Sequence, residues 1–341
     1  MAATDDAAQG TATRGSQELE ALLERHRGEL TAYAYRMLGS WFEAEDAVQE
    51  TLLRAWRGFD RFEGRAAVRS WLYRIATNVC LDMLKGRERR ARPIDLGPAG
   101  TADAPLGDGL SEDRWIEPIP DGRILPDGGD PAELAESRET IRLAFVAALQ
   151  LLPPRQRAVL ILREVLRWKA DEVAELLDTS VASINSALQR ARAALATAGD
   201  ATAAGAAAAG PSRPMDDAQR ALLARYVDAF ERYDMDSLTA LLREDATWSM
   251  PPYELWLRGH LDIRRWCLGP GIGCRGSRLV PTMASGSPAF GQYKPGETNG
   301  VLEPWSLQVL EISDDRIAGI TFFLDTERWF PLFDLPPRLD R

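Results

Sequence analysis

Apolar residues recur at three- and four-residue spacing through the first part of the chain, the mark of helices with one buried stripe. Leu19, Leu22, Leu23, Leu30, Tyr33, Ala34, Met37 and Leu38 form one stripe, which Gly39 ends. The acidic run 43–50 opens a second, with Val48, Leu52, Leu53 and Trp56 as its apolar set. A third runs over 69–84 into the basic run 85–92. Periodicity then vanishes over 92–130, where Pro93, Pro98, Pro105, Pro118, Pro120 and Pro126 interrupt the chain. An extended linker is expected there, not a packed domain. Helical spacing returns over 133–152, is closed by Pro153 and Pro154, and resumes over 155–166. Residues 169–177, the turn 178–180 and residues 181–195 read as a helix-turn-helix, with Val173, Leu176, Val181, Ile184 and Leu188 as its pinning core and the small Ala174 at the helix crossing.

The pattern changes again toward the C-terminus. Residues 196–214 are an Ala/Gly stretch that reads as a second linker. Residues 215–242 are helical, burying Leu222, Tyr226, Ala229, Phe230, Leu238 and Leu241. Residues 246–250 and 305–312 alternate as half-buried strands do, and 316–324 pairs back across a turn at Asp314 and Asp315. A helix followed by sheet indicates an α+β domain.

The 341 residues suffice for two or three domains, and 45% hydrophobic with 27% charged residues excludes wholesale disorder. No run of about 18 uncharged apolar residues exists, and the acidic N-terminus lacks the form of a signal peptide. A cytoplasmic protein is expected. Three cysteines and two histidines give neither a disulfide framework nor a zinc site, so no metal and no cofactor are expected. The net charge of −10 hides an asymmetry. Residues 54–92 hold eleven basic against four acidic side chains, a net of +7; residues 93–140 hold twelve acidic against three basic, a net of −9. A basic surface followed by an acidic tether is expected.

Four ordered segments then carry a family resemblance: Asp46-Ala-Val-Gln-Glu-Thr-Leu-Leu-Arg-Ala-Trp56, Ser70-Trp-Leu-Tyr-Arg-Ile-Ala-Thr-Asn-Val-Cys-Leu-Asp82, Leu152-Pro-Pro-Arg-Gln-Arg-Ala-Val-Leu160, and the helix-turn-helix up to Arg190-Ala-Arg192. Together they resemble a group 4, extracytoplasmic-function sigma-70 factor. The resemblance implies a region-2 domain that docks on core RNA polymerase and melts the −10 element. It also implies a region-4 domain that reads the −35 element, with the linker threading toward the RNA exit channel. The C-terminal domain resembles the SnoaL-like group of the nuclear-transport-factor-2 fold, on Tyr226-Val-Asp-Ala-Phe230, residues 238–246, Trp256-Leu-Arg-Gly-His-Leu-Asp-Ile263 and the final hairpin. The combination looks like the actinobacterial group that contains SigG. The fold expected is two all-α sigma domains, a helical region 2 and a helix-turn-helix region 4, followed by an α+β cone-shaped SnoaL-like domain. The divisions expected are a disordered tail 1–17, region 2 over 18–92, acidic linker 93–131, region 4 over 132–197, Ala/Gly linker 198–214 and SnoaL-like domain 215–341.

Asp46, Gln49, Glu50 and Arg54 read by spacing as a solvated face; the resemblance makes them core-polymerase contacts. The loop and helix holding Phe62, Arg65, Arg69, Trp71, Arg74 and Asn78 interleave aromatic, cationic and amide groups, as single-stranded DNA requires for stacking and phosphate neutralisation. Trp71 reads equally as a core residue, and Leu72 and Ile75 read as core. In the recognition helix, Ser180, Ser183, Asn185, Ser186, Gln189 and Arg190 are expected to face the −35 major groove. Where the family often shows Val-Lys-Ser-Arg, this chain has Ile184-Asn-Ser-Ala187, so phosphate anchoring is weaker. Arg155, Arg157, Arg163, Arg167 and Lys169 offer backbone contacts instead, or a solvated face. The acidic linker is either a passive tether or a nucleic-acid mimic.

Trp248, Met250, Tyr253, Trp256, His260 and Trp266 are the residues of a candidate pocket, or else plain core. A small molecule is a candidate ligand, and docking of the C-terminal domain on the sigma domains a candidate regulation in cis. Two rivals stay open. One is a bifunctional protein whose cavity binds or converts a small molecule, with Tyr253, His260, Asp262, Arg278 and Asp325 as candidates. The other is a helix-turn-helix repressor that needs no polymerase.

Overall fold

Gly39 shapes the start of the chain. Its φ of 74° ends the first helix, α1 (Arg27–Leu38), and its N–H bonds the Tyr35 carbonyl. Such a left-handed cap favours glycine. The next residue starts α2 (Trp41–Gly58), with Ser40 Oγ accepting the Glu43 N–H. With α3 (Val68–Met83), these helices bury Leu30, Tyr33, Met37, Val48, Leu72, Tyr73 and Cys80. The structure, a computed structural model, describes residues 20–59, 62, 67–125, 128, 130–206, 215–298, 300–313 and 315–340. The tail expected over 1–17 lies outside them.

Residues up to Arg87 pack with Leu152–Ala194, and Glu88–Leu151 packs with the chain from Leu195 onward. In the first of these units, α7 (Pro154–Leu160) runs into a π-helical turn (Ile161–Val165). α8 (Ala170–Leu176) and α9 (Val181–Ala206) follow. A tight turn with Asp178 at φ 49° separates them, and Val173, Ala174, Leu176, Ile184 and Leu188 pin the pair. Val181, expected in that core, is instead 42% exposed, because it opens the helix before the first buried turn. α9 also continues through 196–206, where a linker was expected. Alanine is the best helix former, so a low-complexity alanine run extends a helix that is already nucleated. Residues 207–214 lie outside the described residues.

The second unit is built on one sheet. Its strands are β1 (Leu242–Ser249), β2 (Trp256–Arg258), β3 (Arg278–Ala284), β4 (Ser287–Pro295), β5 (Val301–Ser313), β6 (Arg316–Phe323) and β7 (Leu339–Asp340), in the order β2-β1-β6-β5-β4-β3, with β7 beside β5. β1 and β6 are parallel; the other pairs are antiparallel. Irregular register in β1/β6, β4/β5 and β5/β6 bends the strands. Helices α10 (Asp217–Glu231), α11 (Met235–Ala240) and α12 (His260–Leu268) bring Leu222, Tyr226, Phe230, Leu238, Ile263 and Trp266 against Trp248, Phe290, Leu310 and Ile320. α13 (Thr326–Leu332) follows β6.

The largest departure from expectation is the acidic segment. Expected as a linker over 93–131, it lies along the C-terminal sheet and ends in α4 (Asp121–Ile124); the helical stretch expected over 133–152 follows as α5 (Pro131–Glu139) and α6 (Leu143–Gln150), in the same unit rather than with the rest of region 4. Ala102, Trp115, Ile116 and Ile119 are all under 5% exposed. Ile119 and Ser285 exchange hydrogen bonds: Ser285 N–H to the Ile119 carbonyl at 2.8 Å, and Ile119 N–H to Ser285 Oγ at 3.1 Å. The Trp256 indole donates to the Gly97 carbonyl at 3.0 Å, and the Gly100 N–H bonds the Trp256 carbonyl at 2.8 Å. Gly286, at φ 69°, lies so close to the Arg138 backbone that a Cβ would sit 2.4 Å from its carbonyl oxygen. The segment's prolines remove the helix and strand periodicity without removing its apolar side chains. It packs as irregular backbone, which leaves no periodic signal.

Candidate functional site

α2 presents a face in which charge surrounds apolar surface. Trp41, Ala44, Ala47, Val48, Thr51 and Ala55 turn inward. Asp46, Gln49 and Arg54 are exposed and Glu50 half-buried, with an Arg54 Nε–Glu50 Oε1 ion pair of 2.6 Å. Leu53 and Trp56, expected in the core, stand on this outer face at 44% and 42% exposure. Leu53 lies three residues after Glu50 and Trp56 three after Leu53, which places them on one stripe of the helix. A large exposed leucine and tryptophan side by side mark an interaction surface more strongly than the acidic spacing does.

α3 carries the aromatic and basic set. Phe62 stacks against Phe59 and lies 4.9 Å from the Trp71 ring centre, and all three are half-buried. Leu72 is fully buried, as expected, and Ile75 is half-buried. Arg74 and Asn78, one turn apart, are exposed. Arg74 donates to the Glu175 carbonyl of α8 at 2.9 Å. Arg69 is paired with Glu29 at 2.8 Å and lies over the Tyr73 and Trp168 rings. Arg65 lies outside the described residues.

On α9, Ser180, Ser183, Asn185, Ser186, Gln189 and Arg190 are all exposed on the flank away from Ile184 and Leu188. Ser180 Oγ caps the helix by accepting the Ser183 N–H at 3.2 Å, and Arg190 donates to Ser186 Oγ at 2.6 Å. Asn185 and Gln189 lie four residues apart, about one turn of helix, and their side chains make no hydrogen bond among the described residues. Arg155, Arg167 and Lys169 are exposed, but Arg157 is not the surface cation expected. It is 3% exposed and donates to the Met37 and Leu152 carbonyls, with burial pulling its pKa down to about 10. Arg163 bonds the Trp168 carbonyl. The basic run 85–92 is likewise divided. Arg90 is buried, donating to the Glu112 and Trp115 carbonyls at 2.8 Å, and Arg92 pairs with Asp95 at 3.0 Å.

In the C-terminal unit the linker carboxylates meet cations of the same unit. Glu117 pairs with Arg328 at 2.8 Å, Asp103 with Arg265 at 2.6 Å, and Asp262 accepts the Ala102 N–H at 3.3 Å. Beneath the helices lies a cavity of about 290 Å³. Trp248, Met250, Tyr253 and Trp266 line it as expected. Trp256 and His260 do not: Trp256 is turned to Gly97, and His260 Nε2 sits 3.2 Å from the Leu242 carbonyl. Lining residues that sequence reasoning missed are Phe230, Tyr233, Gln292, Lys294, Trp305 and Leu106. The β3–β4 hairpin carrying two of these contains Pro281, Pro288 and Pro295, which hid its strands. The catalytic candidates are not assembled. Of that set only Tyr253 lines the cavity, while Arg278 pairs with Glu231 at 3.1 Å and Asp325 is exposed.

Residues 22–90 match the Sigma-70 region 2 family, and residues 142–195 match Sigma-70, region 4. The ECF RNA polymerase sigma factor SigG of Mycobacterium tuberculosis is 45% identical over 327 residues, spanning 94% of this chain and 85% of its own. SigJ of the same organism is 31% identical over 259 residues, 74% of this chain and 72% of its own. The crystal structure of that SigJ matches with a TM-score of 0.58 at 23% identity, over 93% of this chain and 99% of that one, which shows a shared fold. The chain belongs to the extracytoplasmic-function sigma factors of RNA polymerase. It is a sigma factor that binds core polymerase and promoter DNA, and its C-terminal unit is an α+β domain. No helix among the described residues is long and apolar enough to cross a membrane.

Proposed function

We propose that this cytoplasmic sigma factor opens promoters through the three helical faces, and that its C-terminal domain governs them in cis by holding the segment between regions 2 and 4. Asp46, Gln49, Glu50 and Arg54 surround Leu53 and Trp56 as a polar rim surrounds a hot spot, the form of a docking face for core polymerase. Phe62 and Trp71 give flat surfaces for unstacked −10 bases, and Arg65, Arg69, Arg74 and Asn78 supply cations and an amide. Ser180, Ser183, Asn185, Ser186, Gln189 and Arg190 meet the −35 major groove.

The observation that carries the reading is the mutual hydrogen bonding of Ile119 and Ser285, with Ile119 fully buried. An extended chain spans roughly 3.3 Å per residue. A segment folded on the sheet gives up most of that reach, so its docking limits how far regions 2 and 4 can separate.

Run-off transcription with purified core polymerase tests this on the gene's own upstream region. Ile119→Asp places a carboxylate in an apolar site and releases the segment. Its promoter-specific transcript should differ from that of the wild type at equal core binding. An unchanged transcript, with hydrogen exchange showing the segment released, would refute regulation through the linker. Arg74→Ala with Asn78→Ala should lower open-complex formation about tenfold at unchanged core affinity.

A further inference from the structure

We infer that the C-terminal cavity is a binding site for an apolar organic anion, such as a ring-bearing or short-chain carboxylate, and that the occupant is sensed by the linker through Leu106. The walls are Trp248, Trp266, Phe230, Phe322, Met235 and Met250, and the volume of about 290 Å³ suits a small ligand. Among the described residues its lining holds no Asp, Glu or His.

Two polar side chains at the cavity differ in availability. Gln292 is committed from behind: its amide donates to Ser277 Oγ at 3.0 Å, and its oxygen accepts from Ser306 Oγ and Gln308 Nε2 at 2.9 Å. Lys294 makes a cation–π contact but, among the described residues, no ion pair or side-chain hydrogen bond. Its Nζ lies 3.2 Å from the Trp305 ring centre, and among the described residues no carboxylate is within ion-pair distance. Glu303, its cross-strand partner, lies instead against Gly296. An unpaired ammonium at the edge of an aromatic cavity selects a negative group with an apolar body, and it repels a cation that the aromatic walls would otherwise accept.

The lining also argues for binding without turnover. Burial pushes the Cys267 thiol up to about 12 and raises the Tyr233 hydroxyl, which already donates to the Cys267 and Gly271 carbonyls. Neither is a base at neutral pH. Leu106 comes from the acidic segment, and it is the lining residue that ties occupancy to linker docking. A ligand touching it binds the docked segment more tightly than the released one, and so favours docking. That read-out rests on the cis reading above; the site itself does not.

The full-length protein is titrated with 2-naphthoate, decanoate and the neutral 2-naphthylmethanol, followed by tryptophan quenching and calorimetry. The acids should bind, and Lys294→Met should weaken them about tenfold or more while leaving the alcohol unchanged. Hydrogen exchange over residues 100–110 should slow with 2-naphthoate. Failure of all three probes at about 1 mM overturns the site. Equal weakening of acids and alcohol overturns the anion assignment. Acid binding with unchanged exchange over 100–110 overturns the coupling. The Ile119→Asp transcription result judges the cis reading separately.

Discussion

Asp121→Asn probes what the docked linker pays for its place. Asp121 is 8% exposed, where residues 119–121 cross the β3–β4 turn. One carboxyl oxygen accepts the Gly286 N–H at 2.7 Å; the other is buried with no hydrogen-bond partner among the described residues. Burial raises its pKa from 3.8 to about 6, opposed by the Gly286 bond and the nearby Arg138. An acid raised this way stabilises the fold below its unfolded pKa, where both states are protonated. That contribution is lost as pH rises from about 4 through about 6, since the unfolded chain ionises first. The rise corresponds to about 3 kcal/mol lost at neutral pH. Asparagine keeps the oxygen that meets Gly286 and removes the charge, but leaves an amide N–H₂ unsatisfied at about 1–2 kcal/mol. The net expectation is a gain of about 1 kcal/mol at neutral pH. In a unit of roughly 200 residues that is a rise of about 2–4 °C in Tm by scanning calorimetry. At about pH 4.5 the gain should disappear or reverse. An asparagine variant destabilised equally at both pH values would refute the reasoning, because the carboxyl would then act by shape and hydrogen bonding alone.

Two further outcomes follow from burial. Arg157→Ala removes a buried guanidinium that satisfies the Met37 and Leu152 carbonyls, so urea unfolding should show a loss of about 2–4 kcal/mol. Leu53→Ala with Trp56→Ala changes exposed side chains and should alter stability by under about 0.5 kcal/mol per site, yet weaken core-polymerase binding at least about tenfold in a direct binding assay.

Which helical positions face outward was largely legible in the sequence because helical periodicity is local. The spacing of Ile184 and Leu188 separates the inner side of α9 from its outer side, and all six candidate positions there are exposed. The same logic misplaced Leu53 and Trp56: periodicity says which residues are apolar, not which stripe a partner will cover. Arg157 was misread for the complementary reason. Its type says surface, and only the carbonyls of Met37 and Leu152 make its burial tolerable.

The sequence by itself determined the two helical sigma regions, the helix-turn-helix and the α+β character of the C-terminal domain, all of which are written in patterns spanning a few residues. Tertiary structure alone decided that the acidic segment is part of the C-terminal unit. The bonds that hold it join Ile119 to Ser285, 166 positions apart, and Ala102 to Asp262, 160 apart. It also decided that the cavity takes Leu106, Gln292 and Lys294 in place of Trp256 and His260. Irregular backbone carries no period, and a pairing across such distances depends on which surfaces the completed sheet leaves open to it.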